Sequence, residues 1–193
     1  MKKTSIAVLV SGGGTNLQAL IDAENSGIIY SGEIVLVAST NSNSYALERS
    51  KKAGIETFVY EREEELISKL KSKGIDLIVL AGFLRILSPE FINEFRDRII
   101  NIHPALLPSF GGKGCYGIHV HEKALEYGVK VSGATVHFVN EVPDGGKIIA
   151  QKAVYVEPGD TPEILQKRIM EEAEWVILPL AVEEISKIIS ELK

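Results

Sequence analysis

Two residues near the middle of the chain have side chains and a spacing suited to proton transfer. Asn101 and His103 lie in the segment Asn101-Ile102-His103-Pro104, and alternation along a strand places both on the same side. Pro104 keeps His103 extended and ends the strand. A histidine can accept and return a proton near neutral pH, and an asparagine amide can donate to a developing oxyanion. The pair therefore predicts acid–base catalysis, the alternative being a structural histidine at a strand end.

A glycine-rich segment near the N-terminus is a candidate anion site. Ser11-Gly12-Gly13-Gly14-Thr15-Asn16 directly follows the first apolar run and opens a predicted helix. The N-terminus of a helix supplies unpaired N–H groups and a positive dipole, so we predict that a phosphate or similar anion binds there. The dinucleotide and Walker patterns both fail, because Leu17 replaces the third glycine and no Gly-Lys-Ser/Thr follows. The alternative is an ordinary tight turn.

A turn-forming segment supplies a candidate carboxylate. Pro143-Asp144-Gly145-Gly146 has the composition of an ordinary turn, which is the simplest interpretation of Asp144. A carboxylate close to His103 would raise the pKa of that histidine and fix the orientation of its ring. The sequence does not show whether the two side chains meet.

A glycine-dense segment, Ser109 to Gly117, is a candidate lid or substrate loop. It is followed by His119 and His121, whose spacing differs from that of a helical metal pair, so no metal site is expected. Cys115 is held too loosely in this segment to be expected as a nucleophile. His137, inside an apolar strand, is expected to be a packed or hydrogen-bonded structural residue.

Composition limits the classes of protein to which the 193-residue chain can belong. Its length fits one domain over residues 1–193, and 45% hydrophobic with 24% charged residues is the balance of a soluble globular protein. A net charge of -5 argues against a general nucleic-acid surface, and a single cysteine cannot form an internal disulfide. The apolar run Ile6–Val10 is too short for a secretory signal or a membrane span, so we expect a cytoplasmic protein.

Apolar runs of strand length alternate with helix-period segments through the first half of the chain. The runs are continuous, as expected for strands covered on both faces of a parallel sheet. The predicted strands are Ile6–Val10, Ile34–Ala38, Thr57–Val59, Leu77–Ala81 and Ile99–Ile102, and the predicted helices are Asn16–Glu24, Tyr45–Ala53, Glu63–Lys73 and Pro89–Phe95. This order predicts an α/β fold with a doubly wound, Rossmann-like and mostly parallel sheet.

The pattern changes after residue 128. Val131–Asn140 and Lys147–Val156 are predicted to be two C-terminal antiparallel strands. A long C-terminal helix is predicted to begin near residues 160–163 and to bend near Pro179. Ligands in such folds bind outside the carboxyl ends of the strands, where His103 is expected to lie.

Five segments together resemble the phosphoribosylglycinamide formyltransferases, the folate-dependent enzymes of purine biosynthesis in the formyl-folate transferase and hydrolase superfamily. They are SGGGTNLQAL (11–20), LAGFLRILSP (80–89), NIHPALLPSF (101–110), HFVNEVPDGG (137–146) and EPGDTPE (157–163). NIHPALLP followed by VPDGG is specific to the superfamily, and the glycine loop narrows the resemblance to the glycinamide ribonucleotide members. The resemblance runs almost end to end.

The resemblance implies roles for the residues that match. Asn101, His103 and Asp144 match the family's catalytic residues. The implied folate-binding residues are Arg62, Leu84, Arg85, Ile86, Leu87, Asn140, Glu141, Val142 and Pro143.

The resemblance also implies how the phosphorylated substrate is held. Gly14, Thr15 and Asn16 match the loop that binds its phosphate. A glutamate near the C-terminal helix usually contacts the glycinamide group. Counting back from Pro179 gives Glu174, whereas counting forward from Arg168 gives Ala173.

The implied reaction transfers the formyl group of 10-formyltetrahydrofolate, a co-substrate, to the amine of 5-phosphoribosylglycinamide. Protonated His103 and Asn101 would stabilise the tetrahedral oxyanion, and Asp144 would raise the pKa of His103. No metal is required. The expected partners are these small molecules, with no nucleic acid or membrane, and the chain is expected to be a monomer or a homodimer.

The clearest departure from the family is the loop after Pro108, where GGKGCYGIHVH replaces a short proline-glycine turn, so either His119 or His121 could occupy the usual histidine position.

There are three alternative functions for the chain. A 10-formyltetrahydrofolate hydrolase usually carries an N-terminal regulatory domain and lacks the GGGTN loop, and a methionyl-tRNA formyltransferase needs a basic face and an additional domain. A non-catalytic nucleotide-binding protein on the same fold would bind phosphate ligands independently of His103.

Overall fold

One seven-stranded sheet organises this computed structural model, which describes residues 2–192. The strands are β1 (Thr4–Val10), β2 (Gly32–Ser39), β3 (Glu56–Val59), β4 (Leu77–Leu80), β5 (Ile99–His103), β6 (Val131–Phe138) and β7 (Ile148–Tyr155). Their order is β3-β2-β1-β4-β5-β6-β7, with parallel pairing from β3 to β5 and antiparallel pairing of β5 with β6 and of β6 with β7. The predicted α/β sheet with C-terminal antiparallel strands is confirmed.

Helices cover both faces of the sheet. They are α1 (Thr15–Asn25), α2 (Tyr45–Lys52), α3 (Glu63–Ser72), α4 (Pro89–Glu94), α5 (Ile118–Tyr127), α6 (Pro162–Ile169) and α7 (Trp175–Glu191). Alternate side chains of β1 enter two different cores: Ile6 and Val8 pack in the core that includes α1 and α7, and Ala7 and Leu9 in the core that includes α3 and α4. Burial on both faces is therefore why this strand is apolar throughout.

Two predicted helix starts are built as the sequence indicates. The hydroxyl of Ser88 accepts a hydrogen bond from the backbone N–H of Phe91, and Pro89 occupies the first turn of α4. At the start of α6, the hydroxyl of Thr161 accepts from the N–H of Ile164, and Pro162 follows it. Each hydroxyl satisfies an N–H group that has no partner within the helix, and such a cap stabilises a helix by about 1 kcal/mol.

The C-terminal region is helical from Pro162 to Glu191 but changes geometry on the way. Residues Met170–Glu174 form a π turn between α6 and α7, in which the N–H of Trp175 bonds to the carbonyl of Met170. The long C-terminal helix is confirmed as α7. Pro179 lies inside α7, and the bend expected near it stays a prediction; the π turn before α7 was not predicted.

Helix α5 was not predicted from the pattern of the sequence. It follows Gly117, which takes a positive φ of 54° and provides no capping side chain. Its buried face consists of Val120, His121 and Ala124, so a histidine takes a position where a hydrophobic residue is usual. Within residues 2–192, no helix has both the length and the apolar character needed to cross a membrane.

Because His121 is buried, the stability of the folded chain depends on pH. The side chain is fully buried, and neither ring nitrogen has a hydrogen-bond partner among the described residues. Burial lowers its pKa from 6.5 to about 4, and the charge of His103 acts in the same direction. The unfolded chain therefore binds a proton at a higher pH than the folded chain does. The resulting stability is complete above pH 6.5 and is lost as the pH falls toward 4.

We expect the free energy of unfolding of the wild type to fall by about 2 kcal/mol more than that of His121→Leu between about pH 7.5 and about pH 5. Urea unfolding at the two pH values measures the difference. His121→Gln is the control, since it also lacks the titration but packs differently. Equal pH dependence in the wild type and both variants would contradict the prediction.

Candidate active site

His103 ends β5 and is held in a buried position. Only 4% of the residue is exposed, and its Nε2 lies 2.9 Å from the carbonyl oxygen of Phe110. A carbonyl can only accept, so Nε2 carries a proton. The other ring nitrogen, Nδ1, lies 3.7 Å from Oδ1 of Asp144, which is too long for a direct hydrogen bond but close enough for strong electrostatic interaction.

Asp144 lies in the turn between β6 and β7, which returns over the sheet beside His103. Its backbone has a positive φ of 56°, a conformation that aspartate tolerates better than most residues. Gly146 allows the turn to close, because a Cβ there would lie 1.6 Å from the carbonyl oxygen of Phe138. The backbone N–H of Gly112 donates to Oδ2 of Asp144 at 2.8 Å. The sequence did not show whether Asp144 lies near His103. In the structure, Oδ1 of Asp144 lies 3.7 Å from Nδ1 of that histidine.

Asn101 and His137 complete the cluster from adjacent strands. They are paired in the register of β5 and β6, and the Nδ2 of Asn101 lies 3.1 Å from Nε2 of His137. Nδ1 of His137 donates to the carbonyl of Phe138 at 2.8 Å, so in the neutral ring Nε2 is the acceptor. Nε2 of His137 also lies 3.6 Å from Asp144 Oδ1. The expectation that His137 is hydrogen-bonded is confirmed, and the residue also borders the catalytic candidates.

The pKa values of His103 and Asp144 do not follow from their pairing alone. Burial lowers the pKa of His103 below 6.5, and the nearby Asp144 carboxylate and the Phe110 carbonyl only partly reverse this effect. For Asp144, burial raises the pKa, but His137, His103 and the Gly112 N–H together hold it below 3.8. Asp144 does act on His103 in the predicted direction. Desolvation is the larger effect and favours the neutral ring of His103, whereas the reaction implied by the resemblance uses a protonated ring, which stays a prediction.

The glycine-rich segment 11–16 forms the junction between β1 and α1. Gly14 has a positive φ of 71°, and a Cβ there would lie 2.5 Å from the Cβ of Ala46, so α2 packs directly against the loop. The Ser44 hydroxyl donates to the Gly12 carbonyl at 2.7 Å, and Arg49 Nε donates to the Gly13 carbonyl at 2.9 Å. The carbonyls are thus held by α2, and the first-turn N–H groups of α1 have no acceptor within the helix. This geometry suits an anion.

A buried carboxylate lies beside this helix N-terminus. Glu174, 6% exposed, accepts a hydrogen bond from Nδ2 of Asn16 at 2.6 Å. Burial raises its pKa to about 6, although the Asn16 bond acts in the opposite direction. Oδ1 of Asn16 is buried and has no partner among the described residues. Of the two residues that sequence counting offered, Glu174 has the polar side chain that reaches Asn16.

A cavity of about 450 Å³ opens beside the catalytic candidates. It is lined by Asn101, Asp144 and all but one of the residues predicted to bind folate: Leu84, Arg85, Ile86, Leu87, Asn140, Glu141, Val142 and Pro143. Leu84 and Ile86 are 62% and 77% exposed, so the rim presents apolar surface to a ligand. Asn140 Oδ1 accepts from the N–H of Val142 and shapes the opposite wall.

The structure does not bring Arg62 to this cavity. Arg62 precedes α3 and pairs with Glu65 at 3.0 Å on the surface. A larger cavity, about 660 Å³, lies between α1 and α7, but neither Asn101 nor Asp144 lines it, whereas both line the smaller cavity. The chemistry therefore favours the smaller cavity as the site.

The sequence predicted the glycine-dense segment as a lid or substrate loop, but it did not predict the contacts that this segment makes at the site. The glycine-dense loop contributes Gly112 to Tyr116 to the cavity wall, in addition to the Phe110 carbonyl at His103. Backbone groups carry these contacts, so residue types gave no signal. His121 is buried near His103, whereas His119 is exposed and pairs with Glu122 at 2.7 Å. Within residues 2–192, no group of three His, Cys, Asp or Glu side chains is arranged to hold a metal ion.

Comparison with known proteins places this site in a family. Residues 4–182 match the family model described as formyl transferase. The chain is 42% identical over 191 residues to the phosphoribosylglycinamide formyltransferase of Haemophilus influenzae, covering 94% of this chain and 86% of that protein. It is 41% identical over 181 residues to the chloroplastic phosphoribosylglycinamide formyltransferase of Arabidopsis thaliana, covering 89% of this chain.

The solved structure of glycinamide ribonucleotide transformylase 1 from Symbiobacterium toebii superimposes with a TM-score of 0.88 at 40% identity, covering 96% of this chain and 88% of that one. The chain spans 62% of the length of the Arabidopsis relative and 13% of the length of the trifunctional purine biosynthetic proteins that it matches in two Drosophila species. The family model extends over all seven strands of the sheet and includes Asn101, His103 and Asp144. The chain therefore belongs to the formyl transferase family.

Proposed function

We propose that the chain transfers the formyl group of 10-formyltetrahydrofolate to the amine of 5-phosphoribosylglycinamide in de novo purine biosynthesis. One observation carries the proposal. Asn101, Asp144 and the buried His103 meet beside a cavity of about 450 Å³, and the anion-binding geometry of α1 lies at the carboxyl end of a neighbouring part of the same sheet. A phosphorylated amine and a folate could therefore be held on opposite sides of the proton-transfer groups.

The state of His103 determines how it takes part. Its lowered pKa makes the ring neutral at neutral pH, so it acts first as a general base. The amine attacks the formyl carbon, the carbonyl electron pair moves to oxygen, and His103 takes a proton from the attacking nitrogen. His103 then returns this proton to the leaving folate nitrogen as the carbon–nitrogen bond breaks. The Asp144 carboxylate stabilises the intervening imidazolium.

Asn101 stabilises the negatively charged oxygen of the tetrahedral intermediate by donating a hydrogen bond to it. Its Nδ2 rests against Nε2 of His137 at 3.1 Å, on the side of the sheet that the cavity reaches. A developing oxyanion is a stronger acceptor than a neutral imidazole, so the amide is expected to turn to it during the reaction.

The two substrates are assigned to separate parts of the site. The phosphate binds the N-terminus of α1 at Gly14, Thr15 and Asn16, and Glu174 contacts the glycinamide group. The folate occupies the cavity lined by Leu84–Leu87 and 140–143, with Arg62 assigned to its glutamate end on the resemblance alone. We place this activity in a single formyltransferase domain over residues 1–193, cytoplasmic, and a monomer or homodimer.

Folate turnover measured by absorbance, with and without the amine substrate, tests the function. We expect turnover only when 5-phosphoribosylglycinamide is present, and its loss in His103→Ala because the proton-transfer group is removed. His119→Ala is the matched control, since this exposed histidine contacts Glu122 and the ring of Tyr116. Turnover without the amine would indicate a hydrolase. Silence under both conditions, with phosphate ligands still bound, would indicate a nucleotide-binding protein.

Replacing the oxyanion donor should slow the chemical step. Asn101→Ala is expected to lower kcat by about 10²–10³, because one preorganised donor is lost. Steady-state kinetics measures the change, and Asn93→Ala on the exposed end of α4 is the control. Near-normal kcat in Asn101→Ala would refute the assigned role.

The binding of the amine substrate should depend on the charge of Glu174. Because its pKa is about 6, the carboxylate becomes protonated as the pH falls below that value and its interaction with the substrate weakens. We expect KM for the amine substrate to rise about tenfold from about pH 8 to about pH 5 in the wild type. Glu174→Gln should have a high KM for the amine substrate that does not show this rise with falling pH. The exposed Glu172→Gln should behave as the wild type. The same pH profile in Glu174→Gln would show that other groups cause it.

A further inference from the structure

The loop from Phe110 to Gly112 touches both members of the proton-transfer pair through its backbone. The Phe110 carbonyl accepts from Nε2 of His103 at 2.9 Å, and the Gly112 N–H donates to Oδ2 of Asp144 at 2.8 Å. The first contact keeps a hydrogen on Nε2 of His103, and the second holds Oδ2 of Asp144 in position. A single short segment thus sets the geometry of both groups.

The Phe110 contact selects one tautomer of His103. Because a carbonyl cannot donate, the neutral ring must carry its hydrogen on Nε2 and leave the lone pair on Nδ1. Nδ1 faces Oδ1 of Asp144 at 3.7 Å. The alternative tautomer would place the lone pair of Nε2 against the carbonyl oxygen of Phe110, which is unfavourable because neither atom could then donate.

We propose that loop 110–112 is a positioning element that makes Nδ1 of His103 the atom that takes and returns the proton. The inference rests on the proposed formyl transfer and deepens it. In the reaction, the amine nitrogen forms its bond to the formyl carbon and gives one proton to Nδ1, while Nε2–H stays bonded to Phe110. The Asp144 carboxylate stabilises the imidazolium that forms, and Nδ1–H then gives its proton to the leaving folate nitrogen, which keeps the electron pair of the broken bond.

The packing of the loop shows what keeps it in place. The ring of Phe110 lies edge-on to the ring of Tyr127 on α5, with 6.1 Å between centroids. Phe110 takes a positive φ of 52°, so the surrounding contacts hold a conformation that phenylalanine rarely adopts. A Cβ on Gly111 would lie 2.5 Å from Cδ2 of Leu107 and 3.3 Å from the Cβ of Asp144. There is no room for a side chain between the loop and the carboxylate.

The charged and titratable groups that act on His103 come from three elements. Asp144 lies in the turn after β6, His137 is on β6 itself, and His121 is on α5. None of them holds Nε2–H. Asp144 faces the other ring nitrogen, the ring nitrogens of His137 contact Asn101 and Phe138, and neither ring nitrogen of His121 has a hydrogen-bond partner among the described residues. The Phe110 carbonyl is therefore the group that determines the tautomer.

Gly111→Ala is expected to move the loop away from His103 and Asp144 without replacing either of these side chains. Gly111 is the suitable position because its φ lies outside the positive range that favours glycine, so an alanine there acts by contact alone. Nitrogen-15 NMR of the labelled imidazole rings should show a protonated Nε2 and an unprotonated Nδ1 on His103 in the wild type. In Gly111→Ala we expect a mixture of tautomers and a fall in kcat of about tenfold to a hundredfold, with KM for the amine substrate within about twofold of wild type.

Glu126→Gln, exposed on α5 beside Tyr127, is the control and should match the wild type in both measurements. If Gly111→Ala does not fold, Tyr127→Ala loosens the ring contact from the exposed side and should shift the tautomers in the same direction. A wild-type His103 with its hydrogen on Nδ1 would overturn the inference. So would an unchanged kcat in Gly111→Ala with a raised KM, which would make the loop only a wall of the cavity. Because the NMR needs no turnover, failure of the proposed function would show separately as an absence of formyl transfer in the wild type.

Discussion

The antiparallel register between β5 and β6 is the constraint on which the rest of the site depends. It pairs Asn101 with His137 and His103 with Thr135. The Thr135 hydroxyl donates to the carbonyl of Ala105 at 2.7 Å and accepts from the N–H of Leu107 at 3.1 Å, so the chain that leaves His103 is fixed by the neighbouring strand. A slip of one residue would turn Thr135 and His137 to the opposite face and remove both supports together.

Burial and pairing act against each other in this cluster, and their balance sets its chemistry. A carboxylate beside a histidine would by itself favour the imidazolium, but His103 is desolvated and its pKa falls. Asp144 responds differently because His137, His103 and the Gly112 N–H stabilise its charge more than burial penalises it. Both shifts favour a neutral ring beside an ionised carboxylate. Such a pair is ready to accept a proton, and the charge that forms is already compensated.

The sequence predicted those parts of the fold and site that depend on local pattern. Continuous apolar runs predicted the parallel strands, and Ser88-Pro89 and Thr161-Pro162 predicted helix starts that the structure contains. The meeting of Asp144 with His103, the carbonyl of Phe110 and the direction of the His103 pKa could not be predicted. Each depends on which backbone groups and apolar surfaces surround a side chain after folding, and the Gly117 start of α5 gave no capping signal.

The π turn at Met170–Glu174 includes both residues that counting along the sequence offered for contact with the substrate. Counting from Arg168 and counting from Pro179 gave neighbouring positions, Ala173 and Glu174, for the glutamate expected near the substrate. A π turn closes its hydrogen bond over five residues instead of four, so it holds one more residue than an α turn between the same two ends. The π turn lies between the two residues used for counting, and it ends at Glu174. The count from the C-terminal side arrives at this last residue of the turn, whose side chain bonds to Asn16.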